Sequence, residues 1–214
     1  MLLDLFFVML FNNICSTFLV MVTFTEQLNK LMKSRRSTKP RLFNGEKIDD
    51  KIVWQILENA MWAPTHGMTQ PWKYKVFSQS GLGQLADFQA ELYQKITDPQ
   101  KFKPEKYERM KSNILKSSHV IVICMERQKS EKIPEIEEIE AVACSVQNMA
   151  LTAAAYGICS FWGSGGVTYT DELKQFLELR EKDRCLGYLY LGYSDNPTTT
   201  SRRNSIEENV TWIM

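Results

Sequence analysis

The run Val120-Ile-Val-Ile-Cys124 restricts the possible folds more than any other stretch of the chain. Five successive apolar, mostly β-branched residues leave no polar face for solvent, so the segment reads as a central strand. Lys73-Tyr-Lys-Val-Phe77 alternates like a strand after Gln70-Pro71-Trp72. Ile158-Cys-Ser-Phe161 and Leu186-Gly-Tyr-Leu-Tyr-Leu-Gly192 supply two more, and residues 210–213 a short one at the end.

Helical spacing fills the intervals. Phe24, Leu28, Leu31 and Met32 predict a short first helix, and Ile48, Ile52, Val53, Ile56, Leu57 and Ala60 a second. Pro64 and Gly67 stop the second. Leu82, Leu85, Phe88 and Leu92 mark a third, followed by a solvated excursion over residues 97–111, helical in its later part. Residues 126–138 read as a charged loop. Residues 139–156 form the longest helix, with Val142, Val146, Met149 and Ala153 on one face and small residues over much of the rest. That helix is either a core element or a dimer-interface element. Residues 171–179 predict one more helix. Helices and strands mixed in this order make an α+β domain of three layers, with 214 residues enough for one well-buried domain. The domain is expected over residues 23–214.

Residues 1–22 are apolar but interrupted by Asp4, Asn12 and Asn13. They lack the positive flank of a signal peptide and make a flawed membrane span. Three readings stay open: a start placed too far upstream, with Met21 the natural one, a poor anchor, or an arm packing on a partner. The formal net charge of +1 argues against a nucleic-acid surface. Cys15, Cys124, Cys144, Cys159 and Cys185 form no Cys-x-x-Cys pair and read as small buried hydrophobes in a reducing compartment. His66 and His119, far apart, suggest no metal site.

Three segments could hold a ligand. Ser34-Arg35-Arg36-Ser37 is a compact anion clamp, since guanidinium forks bind phosphate oxygens in pairs. The bland reading is solvated surface charge. Trp162-Gly163-Ser164-Gly165-Gly166 follows a strand and precedes a helix, but it lacks the G-x-G-x-x-G spacing of a dinucleotide fold. Glycine there lets backbone approach a flat ligand; the alternative is a tight turn. Ala63-Pro64-Thr65-His66-Gly67-Met68-Thr69-Gln70-Pro71-Trp72 presents hydroxyl, imidazole and carboxamide groups on one Pro-bounded loop, as a ligand rim would. No nucleophile elbow or Walker loop occurs.

These motifs, with the helix ending at Gly157 and the strand running to Tyr193, occur in the order of the nitroreductase family, which the chain resembles from about Glu26 onward. The likeness is greatest to small bacterial members of the YdjA type. It implies an α+β sandwich with a mainly antiparallel sheet, in an intertwined homodimer binding FMN at the subunit interface. It further implies an NAD(P)H oxidoreductase acting on nitroaromatic, quinone-like or similar electron-poor compounds by ping-pong hydride transfer through flavin N5, in the cytoplasm, with no membrane or nucleic-acid partner. By the same resemblance Arg35, Arg36 and Ser37 contact the phosphate, ribityl chain or ring edge. Trp62, His66, Thr69 and Gln70 belong to the rim, partly from the opposite subunit. Trp162, Gly163 and Ser164 line the ring near N5, and Arg203 takes the phosphate. Related small members carry arginine where Trp62 and Gly163 stand here, so positive charge near the flavin is reduced. No catalytic side chain is implied, because the cofactor carries the reactivity. The competing expectation is a flavin-binding or sensor module without catalysis; a membrane-tethered interaction protein using the leader is a third.

Overall fold

The computed structural model describes residues 23–214; the apolar leader, with Cys15, Met21 and every expectation attached to it, lies outside the described residues. The chain divides between Arg35 and Arg36 into two units. In the first, residues 23–34 are helical (α1), and the Arg35 N–H closes the last turn on the Leu31 carbonyl at 3.0 Å.

The second unit runs α2 (Asp50–Ala60), β1 (Trp72–Ser78), α3 (Ser80–Ile96), α4 (Pro104–Leu115), β2 (His119–Met125), α5 (Glu135–Ala155), β3 (Cys159–Gly163), α6 (Asp171–Phe176) and β4 (Arg184–Gly192). The strands make one sheet in the order β1-β2-β4-β3, each neighbouring pair antiparallel. β2 is buried along its whole length, as its unbroken apolar run requires. Its side chains alternate between two cores. Ile121, Ile123 and Met125 pack with α2 and α5, while Val120, Val122 and Cys124 pack with Leu82 and Leu85 of α3, Ile114 of α4 and Leu173 of α6. A sheet between two helical layers is the expected three-layer α+β sandwich.

The outer edge of β3 is partly covered. Ser37 forms a parallel bridge with Ser160, and the Thr38 N–H donates to the Ser160 carbonyl at 3.0 Å. On the far side of this segment the Thr198 N–H donates to Thr38 Oγ1 at 3.2 Å, and Arg36 Nε to the Thr199 carbonyl at 3.1 Å. Residues 36–38 therefore run between the sheet and the start of the C-terminal tail.

The excursion over residues 97–111 is exposed or half-buried throughout and helical in its later part, as expected; Pro104 opens α4 at its first turn, and the half-buried Phe102, Tyr107 and Met110 pack against Leu92, Tyr93 and Val167. Several expectations shift. The charged loop ends early, because α5 starts at Glu135. α6 stops at Phe176, where Glu178 turns left-handed at φ +54°. Residues 210–213 are not a strand; no neighbouring backbone in the described chain pairs with them. Of the cysteines, Cys124 and Cys185 are buried as expected, but Cys144 is exposed and Cys159 half-buried. Cys144 falls on the stripe of α5 with Glu140 and Gln147, which faces away from the core.

Candidate cofactor site

β3 carries the centre of the site. The glycine-rich stretch expected as a turn begins inside the strand, since Trp162 and Gly163 pair with Leu189 and Tyr188 of β4. This close approach depends on Gly187, whose φ is +114° and whose added Cβ would stand 2.6 Å from the Gly163 carbonyl oxygen. Glycine in a strand interior commonly marks such an approach. The Trp162 indole N–H donates to the Leu186 carbonyl at 3.1 Å, fixing the ring beside β4. Beyond the strand the Gly165 N–H donates to Thr168 Oγ1 at 2.9 Å, and that hydroxyl returns a bond to the Gly165 carbonyl at 2.6 Å. The turn is thus held from within.

Alternation along β3 separates two hollows. Trp162 lines one of about 340 Å³, walled by Ile139 and Ala143 of α5, Gly163, Ser164, Tyr169 and Leu186. Phe161 lines the other, on the α3–α4 side, and Gly163 and Ser164 form the wall between them. The first hollow is apolar and aromatic and contains no carboxylate, imidazole or amine. It can hold a flat ring against backbone, and it offers no acid–base group. Ile139, Ala143, Tyr169 and Leu186 carry no signal of their own in the sequence; only Gly187 marks a close approach there.

The Pro-bounded loop sits at the same end of α5. His66 Nδ1 lies 2.5 Å from Glu137 Oε2, two residues before Ile139, and Gly67 packs near Ile133. No loop residue lines the Trp162 hollow. Gly67, Met68 and Gln70 all have positive φ, at +56°, +53° and +44°. For Met68 and Gln70 that is a strained backbone of the kind found at ligand clamps. Thr65 Oγ1 holds the turn, contacting Thr69 Oγ1 and accepting the Gln70 N–H, each at 3.1 Å. Trp62 and Met68 stand free of the core, 82% and 72% exposed.

Arg36 and Ser37 belong to the edge segment beside β3, and the tail alongside carries Arg203, which donates to Ser201 Oγ and to the Arg202 carbonyl. The unit boundary falls between Arg35 and Arg36, so Arg35 belongs to the first unit. Among the described residues no cluster of His, Cys, Asp or Glu could hold a metal, and no helix is long and apolar enough to cross a membrane.

The model of the nitroreductase family matches residues 32–193. The chain is 27% identical over 172 residues to YdjA of Escherichia coli K12, named as a candidate NAD(P)H nitroreductase, covering 80% of this chain and 91% of that one. The crystal structure of a nitroreductase-like family protein from Bacillus cereus superposes with a TM-score of 0.76 at 25% identity, covering 86% of this chain and 95% of the other. A nitroreductase-type structure from Desulfovibrio desulfuricans, solved in complex with FMN, gives 0.65 at 20% identity over 86% and 96% of the two chains.

Proposed function

The chain belongs to the nitroreductase family, and from that premise we propose that it is an FMN-dependent NAD(P)H oxidoreductase. Its substrates are nitroaromatic, quinone-like or similarly flat, electron-poor compounds. The observation that carries this reading is the hollow at the end of β3. Backbone of Gly163 and Ser164, the Trp162 ring, Tyr169 and Leu186 bound a space suited to a planar tricycle and free of competing charge. Bound FMN supplies hydride acceptance from NAD(P)H and donation to the oxidant through N5, in a ping-pong cycle.

The side chains have positioning roles. Trp162, locked to the Leu186 carbonyl, holds one wall, while Ile139, Ala143 and Leu186 keep water from the ring. Arg36 and Ser37 of the edge segment and Arg203 of the tail hold the phosphate, the two guanidiniums supplying the positive charge. Trp62 and, on the strained loop, His66, Thr69 and Gln70 form the rim, and a second copy of the chain completes the site. No residue of this chain is assigned proton transfer, consistent with a hollow that holds no acid or base.

The purified protein should be yellow, and anaerobic addition of NADH or NADPH should bleach the flavin. A colourless protein that takes up no FMN would overturn the proposal. Flavin that binds but is reduced by neither nicotinamide would convert it to a binding module. Arg36→Ala should weaken FMN binding by about 1.5–3 kcal/mol, the scale of a hydrogen bond to a charged group. Unchanged affinity by fluorescence titration would remove Arg36 from the phosphate site.

A further inference from the structure

Cys124 of β2 and Cys185 of β4 stand opposite each other in the antiparallel ladder. Both belong to the same core, with Val120, Val122 and Tyr188, and both are buried. The Cys124 thiol donates to the Cys185 sulfur. Directly opposed residues of an antiparallel pair have Cα atoms about 4.5–5.5 Å apart, inside the range of about 4.4–6.8 Å that a disulfide spans. Two thiols on one face of adjacent strands can therefore be joined while both strands stay in the sheet.

The pair lies beside the irregular point of the ladder. Ile123 faces Gly187 and Cys124 faces Cys185, so Leu186 has no partner across the strands. Such a bulge re-aims its residue. The Leu186 carbonyl accepts the Trp162 indole N–H at 3.1 Å, and Leu186 lines the Trp162 hollow. On the other side of the bulge the Gly187 N–H donates to the Cys185 sulfur. One sulfur thus touches the bulge whose carbonyl orients Trp162.

The two thiols are unlike. Donation from Cys124 and from the Gly187 N–H outweighs burial and holds the Cys185 thiol below its usual range. Hydrogen bonding to Cys185, with burial, pushes the Cys124 thiol up. Cys185 is therefore the sulfur that attacks first, since the thiolate is the nucleophile. Burial leaves no space for a bulky mixed disulfide, which favours the smallest class of oxidant.

We propose that Cys124 and Cys185 are an oxidative modification site, where a hydroperoxide produces an intrachain disulfide that displaces the Leu186 carbonyl and with it Trp162. The Cys185 thiolate attacks one peroxide oxygen, the O–O bond breaks, and the remainder leaves as water or an alcohol. Cys185 is then a sulfenic acid. The Cys124 sulfur attacks the Cys185 sulfur, the S–S bond forms, and the departing hydroxide takes the Cys124 proton as water. Two thiols are oxidised and one hydroperoxide is reduced. The step requires the fold and not the flavin.

The test uses full-length Cys144→Ser protein, as purified, incubated with hydrogen peroxide. Cys144 is exposed, so replacing it removes a competing thiol. The protein is then unfolded, alkylated and digested without reduction, and flavin content is read from its absorbance beforehand. Peptides joining Cys124 to Cys185 should accumulate, and dithiothreitol should separate them. Tryptophan emission should shift on oxidation, and the shift should be lost when Trp162→Phe is added. The mapping replaces neither buried cysteine, so misfolding of a core variant cannot obscure it. Absence of the joined peptides, separate oxidation of the two thiols to sulfinic acids, or an emission shift that persists with Trp162→Phe would each overturn the proposal. Joined peptides from a colourless protein that takes up no FMN would reject the flavin reading alone. A yellow protein without them would reject this site alone.

Discussion

Gly187 sets how closely β4 can approach β3 at the wall of the site. Its φ is +114°, and an added Cβ would stand 2.6 Å from the Gly163 oxygen and 3.2 Å from Trp162 Nε1. Any side chain there opposes both the backbone and the neighbouring strand. Gly187→Ala should cost about 1–3 kcal/mol in backbone strain alone, and pushing β3 outward should also loosen Trp162. Urea unfolding with flavin retention would show both; a variant as stable and as yellow as the parent would mean that the strands separate without penalty. The position is legible in the sequence as a glycine inside a strand. Its neighbour Gly163 is legible only as a departure from related arginines. That its missing side chain makes room for the Phe161 ring depends on how that ring lies beside Tyr190 of β4, which no local pattern encodes. The division of labour between Phe161 and Trp162 is hidden for the same reason, because the pattern that marks the strand ends at Phe161.

Among the elements, Asp183 ties the chain leaving β2 to the turn that enters β4. Asp183 Oδ1 accepts the Arg127 N–H at 2.9 Å and Oδ2 the Arg180 N–H at 2.9 Å, while the Arg180 guanidinium donates to both oxygens. Burial pushes the Asp183 pKa up, but the Arg180 side chain and the two backbone donors outweigh it and hold it below the ordinary carboxylate value. A folded pKa below the unfolded one stabilises the native state at pH values above the ordinary carboxylate range. That contribution is lost as pH falls through the unfolded and then the folded value. Asp183→Asn should therefore lose stability at neutral pH and show a flatter decline in acid, measured by urea midpoints across that range; parallel pH curves for the two proteins would exclude the role. Element types are readable because periodicity is local: the unbroken run of β2 and the helical stripe of α5 appear as expected. Boundaries are less so. Glu178 adopts a left-handed conformation that no residue preference announces, and α4 reads as solvated because its buried face is only Tyr107, Met110 and Ile114 amid charge.

At the scale of the whole molecule, the C-terminal segment is one part that the described chain leaves uncovered. Residues 201–214 are exposed throughout, although Ile206, Val210, Trp212, Ile213 and Met214 are apolar. Residues 210–213 have strand-like composition without a strand to pair with, and Trp54 and Trp62, 72% and 82% exposed, add apolar surface at α2. Exposed apolar residues in such number suit an interaction site, and a formal net charge of +1 offers little self-repulsion against association. A second copy of the chain is the occupant we propose for it. Sedimentation of the full-length protein should give a dimer. Removing residues 205–214 should shift it toward monomer and release flavin together, because the tail that follows Arg203 would no longer be anchored on the other copy. If the full-length protein sediments as a monomer, or if truncation leaves both mass and flavin content unchanged, the tail is not an interface element and the rim residues Trp62 and His66 must act within one chain.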